Sequence, residues 1–284
     1  MISRRAPQGT KFGPLSFLIV FNNVLPNFGN SFKFVDNLTL LNLCQTSNTL
    51  NVTLDSVINN LKNDLDNVKL NLSIPKSSFM LFSFFKNIPP INNYLCIPNL
   101  NTVKLLGVQL DNDLKWNSHI SHLFKSGCFL LKSFSLLKRF SISIQNLKII
   151  YCSYIRPCLE YACPVWHPGL TKDQCSKIES IQKRAVKIIL GTAYTTYDEG
   201  LARLELITLE SRRHILTMNF GHKCLSSDYH RRFLPPFKEN PPTLPNTRLN
   251  ARRAPNTQLD LYPQMMTMRY KNSFVPYFVS HFNN

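Results

Sequence analysis

The chain has 284 residues, enough for one large domain or two small ones with a substantial core. Its 33 Lys and Arg against 16 Asp and Glu give a net charge of +17, which favours polyanion partners, nucleic acid foremost, through phosphate neutralisation. Eight scattered Cys without a secretory signal argue against a disulfide-stapled secreted domain, so an intracellular setting, nuclear or cytoplasmic, is expected. The apolar run from Phe12 to Phe21 is too short to span a bilayer and is interrupted by Pro14, so no membrane partner is expected.

In chain order, Pro7-Gln8-Gly9 reads as a loop, and Pro14 as a first-turn residue of a helix with Leu15, Leu18, Ile19 and Asn22 on one face. Two short apolar runs around Asp36-Asn37 read as a β-hairpin with that pair at its turn. Residues 49–66 carry Leu50, Leu54, Val57, Ile58, Leu61 and Leu65 at helical spacing, with Thr53 to Ser56 as an entry turn. Phe79 to Phe85 reads as a buried strand. After a Pro- and Asn-rich loop comes a strand from Val103 to Leu110, in which Gly107 marks a close backbone approach or a bulge.

Beyond Asp111 the pattern turns helical. Ile120, Leu123, Phe124, Gly127, Leu130, Leu131 and Phe134 form an apolar stripe, with Lys125, Lys132 and Lys138 off it. Lys115 to Arg156 holds seven basic residues and no acidic one. Leu147, Ile150, Tyr151, Tyr154 and Ile155 define a second helix ending at Arg156-Pro157. Tyr161 to Pro168 reads as a loop, and Ile178, Ile181, Ala185, Ile188 and Ile189 as a third helix closed by Gly191. One or two further helices follow between Leu201 and Leu225. Residues 235–272, rich in Pro, Asn and Arg, are expected to be loop or partly disordered.

Four stretches in order resemble the palm motifs of reverse transcriptases from non-LTR (LINE-like) retrotransposons. They are Pro7-Gln8-Gly9 with Gly13-Pro14-Leu15, then Phe34-Val35-Asp36-Asn37, then Asn71 to Lys76-Ser77, then Leu106-Gly107-Val108 with Leu110-Asp111. Leu114-Lys115-Trp116, Tyr154-Ile155-Arg156-Pro157, Gln182-Lys183-Arg184-Ala185, Arg212-Arg213 and Lys271 to Pro276 resemble the following region of the same family. The resemblance implies an α+β fold: a partial polymerase palm, an antiparallel sheet with packed helices, over 1–111. A helical thumb and connection region over 112–232 and a tail over 233–284 would follow.

It also implies an RNA-directed DNA polymerase that uses Mg²⁺, deoxynucleotides, an RNA template and a DNA primer. Asp36 would be the metal ligand and Asn37 would stand where a second Asp is expected. Lys76 would assist pyrophosphate departure. Pro7, Gln8 and Gly9 would lie against template and nucleotide, and Leu106, Gly107 and Val108 would belong to the hairpin that grips the primer. Lys125, Lys132, Lys138 and Arg139 would meet the nucleic-acid backbone. Two-metal phosphoryl transfer needs several hard oxygen donors. The family's first catalytic Asp and its fingers would precede Met1, so the reading frame looks truncated and a catalytically incomplete fragment is expected. The alternatives are a non-catalytic basic nucleic-acid-binding remnant and a non-functional pseudogene product.

Three further groupings have ordinary explanations. Cys158, Cys163, His167 and Cys175 lack the usual zinc-ligand spacing. Trp116 and Trp166 suit base stacking or the capping of a core. His119 and His122 share a helix start with no carboxylate partner in sequence.

Overall fold

The computed structural model describes residues 12–24, 30–43, 50–82, 93–94, 96–238, 258–260 and 272–283. It is an α+β protein in which small antiparallel ribbons accompany many helices, and it divides into two compact units, residues 1–101 and 102–284.

In the first unit, helix α1 (Phe12–Asn22) buries Phe21 and, just beyond its end, Val24 against Leu61 and Leu65. The face expected to turn inward does not: Leu15, Leu18 and Ile19 are exposed. This helix is apolar nearly all round, so periodicity selects no face. Phe17 and Phe21, one turn apart and stacked at 5.4 Å between ring centroids, offer the larger area and take the interior. Strands β1 (Ser31–Phe34) and β2 (Asn37–Leu40) form the expected hairpin, but pairing of Phe34 with Asn37 puts Val35 and Asp36 at the turn. Asn37 therefore belongs to the strand. Val35 carries the positive φ of 55°, a strained position for a β-branched residue.

Helix α2 (Leu50–Asn67) runs as expected, with Ile58, Leu61 and Leu65 buried. Thr53 to Ser56 lies inside it rather than forming an entry turn, the Ser56 hydroxyl donating to the Thr53 carbonyl. The strand expected from Phe79 is reduced, over the described residues, to an isolated bridge between Phe79 and Asn99, and Phe82 is exposed. An apolar run without alternation fixes neither the pairing partner nor, as Phe82 shows, burial. A second ribbon joins β3 (Asn93–Tyr94) to β4 (Ile97–Pro98). Among the described residues each of the three ribbons has two strands, and none joins a larger sheet.

The second unit begins with β5 (Thr102–Leu105) and β6 (Val108–Asp111), a hairpin where the apolar pattern predicts a single strand. Leu106 and Gly107, at φ 46° and 88°, make the two-residue turn, so Gly107 is there for its left-handed backbone. Helix α3 (Asn117–Arg139) buries Ile120, Leu123, Gly127, Leu131 and Phe134, in line with the apolar stripe of the sequence. It crosses α7 (Lys172–Leu190) so closely that a Cβ on Gly127 would run into Ile181. The capping box of Thr171 and Gln174 starts α7, and Gly191 closes it as expected.

Between them, α4 (Ile144–Ile150) does not end at Pro157. It continues through one π turn (Tyr151–Ile155) into α5 (Arg156–Glu160). The Arg156 amide reaches back to the Tyr151 carbonyl, and this wider register accommodates a proline with no amide hydrogen. The expected loop after Tyr161 contains a short helix, α6 (Cys163–Trp166). Helices α8 (Tyr197–Arg203) and α9 (Leu209–Ser226) follow, then α10 (Asp228–Arg231) and α11 (Phe274–Phe282). In the tail, Leu234, Leu259 and Phe278 are buried with Cys224 of α9, although 239–257 and 261–271 lie outside the described residues. Among the described residues no helix is long and apolar enough to cross a membrane.

Candidate nucleic-acid interface

Asp36 and Asn37 are both exposed at the tip of the β1–β2 ribbon, where the Asn37 amide donates to the Asp36 carboxylate at 3.3 Å. The ribbon is tied down by Lys33, whose Nζ donates to the Asn22 carbonyl at 2.9 Å beside the Phe21 ring. Burial lowers the Lys33 pKa, opposed by the Asp64 carboxylate. Lys76 ends a single 3₁₀ turn (Ile74–Lys76) and is exposed. Pro7, Gln8 and Gly9 lie outside the described residues. Among those residues no three His, Cys, Asp or Glu side chains are placed to hold a metal ion. One carboxylate whose neighbour is an amide does not fit a pair of Mg²⁺ ions, each of which takes several oxygen ligands.

The β5–β6 ribbon is bolted to α3 at its open end. Asp111, buried at the start of the helix, accepts from the Thr102 hydroxyl at 2.9 Å and from the Ser118 amide at 3.0 Å. Burial alone would raise its pKa; the bonds from Ser118 and Thr102 outweigh it and hold the pKa down. His119 adds a second bolt, its Nδ1 accepting from the Gln109 amide at 3.4 Å. Burial, with His122 nearby, depresses the His119 pKa to about 4, so the ring is neutral and Nδ1 is free to accept. The tip is held separately, because the Tyr161 hydroxyl donates to the Leu106 carbonyl at 2.8 Å. Leu106 and Gly107 are exposed there, whereas Val108 is buried in the core.

Of the four expected backbone-contacting cations, Lys125, Lys132 and Arg139 are exposed. Lys138 is engaged, its Nζ donating to the Ile189 carbonyl at 2.9 Å, where it covers the open end of α7. A second set, on α7, is one that sequence reasoning misses. Lys177 and Arg184 both lie over Phe124 of α3, at 5.2 and 5.8 Å from its centroid, while Lys183 packs on Tyr197 and Lys187 on Tyr194. All four cations are exposed. Lys177, Arg184 and Lys187, at i, i+7 and i+10, share one side of the helix. Of the two acids on α7, exposed Asp173 lies in the first turn, and Glu179 is engaged, accepting from the Tyr197 hydroxyl and, at 3.1 Å, from the Leu209 amide. The outer face of α7 is thus basic with aromatic backing. Its signal in sequence is Lys177, Lys183, Arg184 and Lys187 interleaved with the buried isoleucines.

The remaining candidates are structural. Trp116 and Trp166 are buried in the main core, with Trp166 in edge contact with His119. Cys158 is exposed and Cys163 is buried, and the Cys/His grouping forms no cluster of three among the described residues. His167 instead meets the fully buried Arg213, whose Nε donates to its Nδ1 at 3.5 Å. Burial and the Arg213 charge push the His167 pKa down to about 4.

Over 149 residues the chain is 29 % identical to a protein of Drosophila melanogaster named "Probable RNA-directed DNA polymerase from transposon X-element". That match covers 50 % of this chain and 16 % of the relative. Over 134 residues it is 28 % identical to "Uncharacterized protein B0403.1" of Caenorhabditis elegans, covering 46 % of this chain and 66 % of that one. The chain thus spans less than two thirds of either relative's length. No family model and no solved structure matches it.

Proposed function

We propose that this chain is part of a retrotransposon reverse transcriptase that grips nucleic acid through its helical unit and does not by itself transfer nucleotides. The ribbon units of residues 1–111 are read as palm, and the helices from Asn117 onward as thumb and connection. The observation that carries the binding role is the outer side of α7, where Lys177, Arg184 and Lys187 are exposed and backed by aromatic rings, with exposed Lys183 on Tyr197 beside them, and none of the four is held in an ion pair among the described residues. Lys125 and Lys132 extend the charge along α3. Such a surface neutralises phosphates without reading bases. The distant similarity to a transposon polymerase supports nucleic acid as the polyanion. Catalytic silence follows from the Asp36–Asn37 donor set, which cannot balance the charge of two divalent ions.

Fluorescence anisotropy with an RNA–DNA primer–template duplex tests the binding role. Binding is expected to weaken steeply with salt. The variant with Lys177, Lys183, Arg184 and Lys187 all changed to Gln is expected to flatten the log–log slope by about 0.9 for each phosphate no longer neutralised. An unchanged slope overturns the assignment. In primer extension with Mg²⁺, the chain and its Asp36→Ala variant are expected to give the same background; extension that Asp36→Ala abolishes overturns the silent-enzyme reading.

A further inference from the structure

The corner after α9 carries aromatic and cationic side chains that neither the core nor the duplex-gripping face uses. Here the apolar demand of the chain is met by Leu234, which is buried with Cys224, Leu259 and Phe278. Tyr229 and Phe233, at i and i+4, point elsewhere and remain 59 % and 50 % exposed. The guanidinium of Arg232 sits between them, 4.1 Å from the Tyr229 ring centroid and 4.8 Å from that of Phe233. The two rings are nearly perpendicular, at 73°. Arg231 is fixed beside them, donating to the Leu234 and Pro235 carbonyls at 3.1 and 2.7 Å and lying 4.8 Å over the Phe237 ring.

Arg232 differs from its neighbour. None of the ion pairs among the described residues involves it, and its only close partners there are the two rings. It borders an open depression lined by Asp228, Arg231, Arg232, Leu234 and Pro236. Asp228 is the one acid between His222 and Lys238, against Lys223, Arg231, Arg232 and Lys238, and the sequence that follows to Asp260 adds Arg248, Arg252 and Arg253 against Glu239 and Asp260. An exposed ring face takes a nucleobase regardless of its identity, and a planar cation next to it takes the adjoining phosphate. A duplex hides its base faces in its own stack, so the ligand that fits has bases free to stack.

We propose that Tyr229, Arg232 and Phe233 form a stacking platform for an unpaired nucleic-acid strand. The inference rests on the preceding reading only for the class of polymer; the strand state and the residues are separate. Anisotropy on the full chain tests it with oligo-U RNA and oligo-dT DNA of about 12 nucleotides, a size in the range of one single-strand site. An abasic oligomer of equal length and the primer–template duplex serve as further arms. Tyr229→Ala with Phe233→Ala is expected to weaken the oligo-U or oligo-dT complex about tenfold or more, and to leave the abasic and duplex complexes within about twofold. Tyr229→Trp with Phe233→Trp is expected to retain single-strand binding, separating the absence of stacking from a failure to fold. Whichever of RNA and DNA shows the greater weakening is the strand recognised. Equal weakening on the abasic oligomer, or none on either single strand, overturns the platform. If the Ala pair acts on single strands while the α7 variant leaves the duplex untouched, the platform stands and the helical-face reading falls.

Discussion

The Tyr161 hydroxyl donates to the Leu106 carbonyl at 2.8 Å, joining the end of α5 to the tip of the β5–β6 ribbon. Tyr161→Phe keeps the ring and removes the bond, and because the site is exposed the expected loss is about 1 kcal/mol or less. The local readout is sharper: amide hydrogen exchange in the ribbon should quicken while that of α7 is unchanged. Unaltered exchange would mean that the brace is idle. Gly107→Ala should cost more, about 1–3 kcal/mol, since a side chain at φ 88° is strained and its Cβ would press on the Tyr161 ring.

Glu160 and Arg212 meet through two hydrogen bonds, Nε to Oε1 at 2.5 Å and a terminal nitrogen to Oε2 at 3.1 Å, and so clamp α5 to α9. Glu160 is almost covered, so Glu160→Gln leaves a half-buried guanidinium with a poorer acceptor; a loss of about 1–3 kcal/mol in urea unfolding is expected. Arg212→Lys should not restore the pair, because an ammonium cannot match both oxygens in one plane. Lysine performing as well as arginine would show that charge alone matters here.

Arg213 presents the opposite case. It is fully buried, and neither terminal nitrogen has a hydrogen-bond partner among the described residues, although Nε donates to His167 and the charge lies over the Trp166 ring. A desolvated cation with so little compensation costs stability, so Arg213→Met, close in length and apolar, is expected to be neutral or to stabilise by about 1–4 kcal/mol. Thermal unfolding measures it. A marked fall in Tm would show that the guanidinium is better satisfied than its surroundings indicate.

His119 and His167 fold as neutral rings with pKa values of about 4, against 6.5 for a free imidazole. Between those values the unfolded chain binds more protons than the native one, so protons favour unfolding. Stability from each ring is fully present above about pH 6.5 and is lost as pH falls toward about 4, by roughly 3 kcal/mol per ring. Urea midpoints across that interval should fall with acidification, and His119→Asn should make the fall shallower. A midpoint independent of pH there would refute the assignment of both rings.

Where periodicity is strong, the sequence by itself specified the structure. The buried stripes of α2, α3 and α7 and the closure at Gly191 follow from apolar spacing and one glycine, because a helix with one apolar face has a single way to bury it. The Asp36 hairpin, though not its turn pair, and the net positive charge were also legible, and the ordered motifs pointed to the polymerase relationship that the distant transposon relative supports. Tertiary structure alone decided the rest. It turned Phe17 and Phe21 of α1 inward in place of Leu15 and Leu18, carried the helix through Pro157 on a π turn, and committed Lys138 to the Ile189 carbonyl. It also left Lys177, Arg184 and Lys187 exposed along one side of α7, with Lys183 on Tyr197, and left Arg232 between two exposed rings. The burial of α1 and the engagement of Lys138 depend on neighbours distant in sequence, whereas the π turn and the Arg232 site are local arrangements that periodicity does not record. A pattern read one segment at a time records which residues avoid water but not which partner reaches them first, and that partner determines which charges remain free to bind.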